Sequence, residues 1–128
     1  MSAKDRGKDP VLEALKQASK GLSYTSETDA PLEPFAWKGG DKLTDAQLLK
    51  LAGAEEGTAV EQTTLEDFFR TVPPEDKAKF DKLAKVLQEQ LSGIKVYKVG
   101  DEAEREVYLV GKAKDGRWAG LKTTVVET

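Results

Sequence analysis

A chain of 128 residues with 38% apolar and 34% charged side chains suits one soluble globular domain built round a single core. With no cysteine and no histidine, disulfide frameworks, thiol catalysis, thiolate metal sites, Ser-His-Asp chemistry and histidine-based zinc hydrolysis are excluded. The net charge is −3, no run of about 18 apolar residues is long enough to span a bilayer, and no apolar segment follows a basic start, so a cytoplasmic protein without a membrane contact is expected.

The elements follow in chain order. Residues 1–8 are polar and unpatterned and read as a flexible leader, leaving 9–128 as the single domain. Asp9 reads as an N-cap with Pro10 at the first helical position, and Val11, Leu12, Leu15 and Ala18 mark one face of a helix that Gly21 ends. Residues 22–34 carry two prolines among polar residues, which resists regular structure and predicts a long ordered loop. A short strand is expected over Glu33–Trp37, closed by Gly39-Gly40, with Trp37 at least partly in the core. Thr44 and Gln47 form a capping-box pattern for a helix through Leu48, Leu49 and Leu51 to Gly53.

Residues 58–63 read as another strand, and Thr64 with Asp67 as the cap of a short helix whose Phe68 and Phe69 belong to the core. Pro73-Pro74 starts the strongest helix, about 74–91, with Phe80, Leu83, Ala84, Leu87 and Leu91 on one face and Gly93 as its end. The period then changes: 94–99, 104–113 and 117–126 alternate like strands, joined by turns at Gly100-Asp101 and Asp115-Gly116. Strands separated by helices early and a β-meander late define an α+β domain with helices packed on a central, mostly antiparallel sheet.

Charge is unevenly placed. Between Lys20 and Lys38 the only charges are Glu27, Asp29 and Glu33, and between Lys50 and Arg70 they are Glu55, Glu56, Glu61, Glu66 and Asp67. A nucleic-acid face needs clustered Lys and Arg, so direct nucleic-acid binding is not expected. Acidic stretches suit a basic partner, such as a protein that itself grips phosphates, although a solvated acidic loop has the same composition. Other constellations are weaker. Glu55-Glu56 beside Gly57 has the residues for acid/base work but reads as a solvated loop, and Gly39-Gly40-Asp41-Lys42 lacks the Lys-Ser/Thr pair of a phosphate cradle.

Two segments carry the oxygen-rich groups that stand out. Ser26-Glu27-Thr28-Asp29 runs into Ala30-Pro31-Leu32-Glu33-Pro34-Phe35-Ala36-Trp37, so proline limits the freedom of the chain next to Glu27. The final Lys122-Thr123-Thr124-Val125-Val126-Glu127-Thr128 is β-branched up to its end, and an ordered strand there would hold the Thr128 hydroxyl and α-carboxylate in a defined place. The bland alternatives are a solvated Glu27 beside a turn capped by Ser26 or Thr28, and an arbitrary chain end.

The stretches at 26–37 and 119–128, with Leu-Lys-Gln-Ala-Ser-Lys-Gly-Leu at 15–22, resemble the nuclease A inhibitor family in order and spacing. That resemblance implies an αβα sandwich and a protein that silences a sugar-non-specific ββα-metal nuclease without catalysing anything. It implies that Glu27, held by Ser26, replaces the scissile phosphate in the nuclease active site. It further implies that Thr128, with Glu127 before it, reaches the nuclease's catalytic Mg2+, the inhibitor having no cofactor of its own and being a monomer when free. The family pattern carries an Asp-Trp pair before the long helix; here Thr71-Val72-Pro73-Pro74-Glu75-Asp76-Lys77 offers Asp76 and no tryptophan. The competing expectation is a regulatory interaction domain on the same scaffold with a non-nuclease partner.

Overall fold

A computed structural model describes residues 10–25, 29–39, 42–100 and 103–126. The chain runs α1 (Pro10–Ser19), β1 (Ser23–Thr25), β2 (Asp29–Pro31), β3 (Glu33–Trp37), α2 (Asp45–Ala52), β4 (Val60–Thr63) and α3 (Leu65–Phe69). A 3-10 turn (Pro74–Asp76) then leads into α4 (Lys77–Gln90), β5 (Leu91–Val99), β6 (Glu104–Ala113) and β7 (Trp118–Val126). Strands β3, β7, β6, β5 and β4 lie side by side in that order, every pair antiparallel, and β5–β6–β7 form the expected meander.

Alternation along the central strands explains why helices lie on both faces. In β6, Val107 and Leu109 join Leu15, Phe80, Leu83 and Leu87 in the larger core under α1, α3 and α4. Their neighbours Tyr108 and Val110 point the other way and pack with Leu48 and Leu49 of α2. The result is the α+β, helix–sheet–helix layering expected from the sequence. No described helix is long and apolar enough to cross a membrane.

Local signals account for several boundaries. The Thr44 hydroxyl accepts from the Gln47 N–H at 3.2 Å while Gln47 Oε1 accepts from the Thr44 N–H at 3.3 Å, a complete capping box. The Thr64 hydroxyl likewise accepts from the Asp67 N–H at 3.0 Å, and Phe68 and Phe69 are buried as expected. Asp9, the expected N-cap of α1, lies outside the described residues.

Two expectations are corrected. Gly93 does not end the long helix: α4 stops at Gln90, Leu91 is already extended and opens β5, and Gly93 sits inside that strand with φ +61. The register explains why, for Ser92 pairs with Lys112 but Lys95 with Val110, so one extra residue is accommodated in a bulge where glycine adopts the left-handed region without strain. Residues 22–34 are not one long loop either. Ser23, Tyr24 and Thr25 pair with Pro31, Ala30 and Asp29 in a two-stranded hairpin outside the main sheet, and Pro31, at the strand's last position, is tolerated at that edge.

Gly120 marks the closest approach within the sheet, since a Cβ placed there would lie 1.7 Å from the Leu109 carbonyl oxygen on β6. The atoms it would meet are all β6 backbone, of Leu109 and Val110, with no soft side chain to move, so Gly120→Ala is expected to lower stability by about 1–3 kcal/mol or more. The denaturant midpoint measures it, and an unchanged midpoint would show that the strands part freely.

The Tyr108 hydroxyl donates to Glu106 Oε1 at 2.6 Å. Burial first, then that hydrogen bond and the charge of Glu106, raise its pKa well above the ordinary 10.0. Below about pH 10 the phenol is neutral in both folded and unfolded chains. Above that the unfolded chain ionises first, binds fewer protons and gains, so stability falls as pH rises. Tyr108→Phe is expected to cost about 1 kcal/mol near neutral pH, with the gap to wild type closing as pH climbs past about 10. A gap that stays constant in urea titrations across that range would contradict the assignment.

Candidate partner-binding end of the sheet

The hairpin is fastened at several points. The Tyr24 ring stacks on Phe68 with centroids 4.2 Å apart and planes 8° from parallel, and meets Phe80 edge-on at 6.5 Å. Its hydroxyl donates to the Phe68 carbonyl at 2.9 Å and lies 3.1 Å from Thr71 Oγ1. From the other strand of the hairpin, the Ala30 carbonyl accepts from the buried Thr123 hydroxyl of β7 at 3.3 Å. A tyrosine in a polar segment is the one sequence signal of this anchor, and Thr123 gives none.

These contacts bring three segments to one end of the sheet. Edge strand β3 pairs with β7 only as far as Glu33 opposite Lys122, and β1 and β2 lie against β7 beyond that point. The turn carrying Asp76 is tied in through Thr71, and Asp76 itself is half-buried, its N–H donating to the Pro73 carbonyl at 2.9 Å and its side chain making no capping bond. Ser26, Glu27, Glu127 and Thr128 lie outside the described residues. Their nearest described neighbours are the Thr25–Asp29 pair of the hairpin and Val126 of β7.

Charge is graded along the strands. At the end where β5 and β7 finish, Asp29, Glu61, Glu104 and Glu106 stand against Lys98 and Arg105. At the other end Lys38, Lys95, Lys112, Lys114 and Arg117 outnumber Asp115. The two acidic stretches of the sequence are not one patch, however. Glu33 is on the β3 edge and Glu61 on the β4 edge, where Arg105 pairs with it at 2.9 Å; Arg70 pairs with Asp67 at 2.6 Å. Arg70, Asp67 and Glu61 are well exposed and only Arg105 is more enclosed, so solvent screens both pairs and they contribute little to stability.

Trp37 and the Glu55-Glu56 pair are elsewhere. Trp37 is half-buried on the opposite face, 4.4 Å from Phe35 and 5.3 Å from Tyr108, centroid to centroid. Glu55 and Glu56 sit in the turn after α2, where the Glu55 carbonyl accepts from the Thr58 hydroxyl at 2.6 Å. Among the described residues no group of three or more Asp or Glu is placed to hold a metal ion.

The family model described as nuclease A inhibitor-like protein matches residues 9–128, nearly the whole chain. The chain belongs to that family. No curated protein matches it individually. Membership in the nuclease A inhibitor-like family implies an inhibitor's role, with a nuclease as the partner, for a chain whose hairpin, β7 terminus and pre-helix turn meet at one acidic end.

The Tyr24 anchor gives a direct test of how that end is built. Tyr24→Phe keeps the stacked ring and leaves the Phe68 carbonyl and Thr71 without the phenol, a loss of about 1 kcal/mol. For a domain of this size the melting temperature should fall by roughly 3–6 °C. No change in melting would mean that the hairpin is held by its ring alone.

Proposed function

We propose that this protein inhibits a metal-dependent nuclease of the ββα-metal type, acting on both DNA and RNA, by occupying its active site. Glu27, positioned by Ser26, takes the place of the scissile phosphate. Thr128 offers a hydroxyl and an ionised α-carboxylate, the oxygen donors that Mg2+ prefers, to the metal that belongs to the nuclease. Glu127 and Asp76 add negative charge around them. The inhibitor performs no chemistry and holds no cofactor; it blocks access.

One observation carries this reading. The described flanks of all three nominated segments are joined, Tyr24 to Thr71 at 3.1 Å and Ala30 to Thr123 at 3.3 Å, although these residues are 47 and 93 positions apart in the chain. Flanks fastened to one another in this way leave less chain freedom to be lost on binding a basic groove. The excess of acid at that end supports the same orientation, since it would steer the inhibitor toward a protein that binds phosphates.

Mixing the protein with a ββα-metal nuclease in excess magnesium tests the proposal. Stoichiometric loss of both DNase and RNase activity is expected, and the excess metal excludes simple chelation. Full nuclease activity at a several-fold molar excess of inhibitor would instead favour the interaction domain with a non-nuclease partner, in keeping with the absence of tryptophan from residues 71–77.

A further inference from the structure

The opposite face of the sheet carries a second feature, at the basic end. Between the start of α2 and the strands lies a cavity of about 360 Å³, with Lys42, Thr44, Gly93, Lys95, Tyr97 and Trp118 in its wall. We propose that it binds a small planar anion of the mononucleotide class, the phosphate meeting Lys42, Lys95 and the Tyr97 hydroxyl and the base lying against Trp118.

The convergence of a phenol, two lysines and an indole on one cavity is the observation that points to a ligand. Tyr97 is only 4% exposed, it lines the cavity, and among the described residues nothing hydrogen-bonds to its hydroxyl. No buried side-chain oxygen among the described residues is left unpaired, so this hydroxyl meets solvent, and a ligand oxygen can take the place of that water. Burial, and to a smaller degree the charge of Asp45, raise its pKa, so it stays a donor at any physiological pH. A donor suits an anionic oxygen. Lys42 and Lys95 come from two different segments, and lysine is a common point-charge partner of phosphate. Among the described residues, Asp45, the first residue of α2, is the acid that acts on Tyr97, and the two lysines outnumber it.

The wall also explains why a bare anion is not enough. Trp118 is half-buried, with the Lys112 ammonium 5.1 Å from its ring centroid, and an indole face of this kind stacks bases without regard to sequence. The volume lies within the range of small-molecule sites. The bulge at Gly93, which has no side chain and a φ of +61, forms part of the rim. Trp118 opens β7, eight residues before Val126 and so about 26 Å from the partner-binding end. The two sites do not overlap, and this inference does not rest on the inhibitor reading.

The test is a 1H–15N titration of the whole protein with adenosine 5′-monophosphate, and separately with adenosine and with inorganic phosphate. Saturating shifts of the Trp118 indole N–H and the Thr44 and Gly93 amides are expected with the monophosphate, and binding at least roughly tenfold weaker with either half alone. Lys42→Gln with Lys95→Gln, and separately Tyr97→Phe, should each weaken binding by roughly tenfold with circular dichroism unchanged. If Tyr97→Phe disturbs the fold, the exposed lysine pair decides. Absence of saturation up to about 10 mM, or equal binding by the lysine variant, overturns the proposal.

Discussion

Appending a peptide tag after Thr128 is expected to abolish inhibition, whereas the same tag before Met1 should leave it intact. On the proposed mechanism the C-terminal tag turns the α-carboxylate into an amide and places bulk where the nuclease's metal would approach, so both the charge and the access would be lost together. β7 stays paired with β6 as far as Val126 opposite Glu104, two residues short of Thr128, so neither the tag nor deletion of Thr128 should alter circular dichroism or melting. Thr128→Val separates the two donors, since it keeps the carboxylate and removes only the hydroxyl. Equal inhibition by the two tagged proteins in the same nuclease assay would remove the terminal residue from the mechanism while leaving the family assignment untouched.

Glu27→Gln is expected to weaken the complex by about 2–5 kcal/mol, or roughly 30-fold to several thousand-fold, without affecting the fold. The substitution keeps the size and much of the hydrogen-bonding capacity of the side chain, so what it removes is charge. On the proposed mechanism that charge would meet the cations of an active site built to receive a phosphate, and a neutral amide would leave them unpaired. The effect should appear mainly in the dissociation rate, as expected for a contact at the centre of an interface. A variant that dissociates as slowly as wild type would refute the phosphate-mimic role and shift attention to Asp76.

The helices and the meander were legible because their signals are local. Thr44 with Gln47, Thr64 with Asp67 and the alternation after residue 94 each act within a few residues, and the structure places elements at all three. The hairpin was not legible, because two prolines argue against strands and what secures Tyr24 is a carbonyl 44 residues away. Gly93 misled for a related reason: a glycine after a helix and a glycine in a bulge look alike until the register of β6 is known. The residue roles proposed at the acidic end came from family resemblance rather than from spacing. What the structure adds is the meeting of their flanks, which depends on Thr123 and Thr71, residues with no signature in the chain.

The bond between Thr123 and Ala30 also has a consequence for how the molecule forms. Helix α4 and the β5–β6–β7 meander are local in the chain and can assemble early, but the 93 residues separating the two partners must be closed before the hairpin finds its seat. The acidic end is therefore expected to be among the last parts to become native, after β7 has docked on β6. A refolding chain would bury its core before it could bind, so inhibitory activity should return later than intrinsic fluorescence in a rapid-mixing experiment.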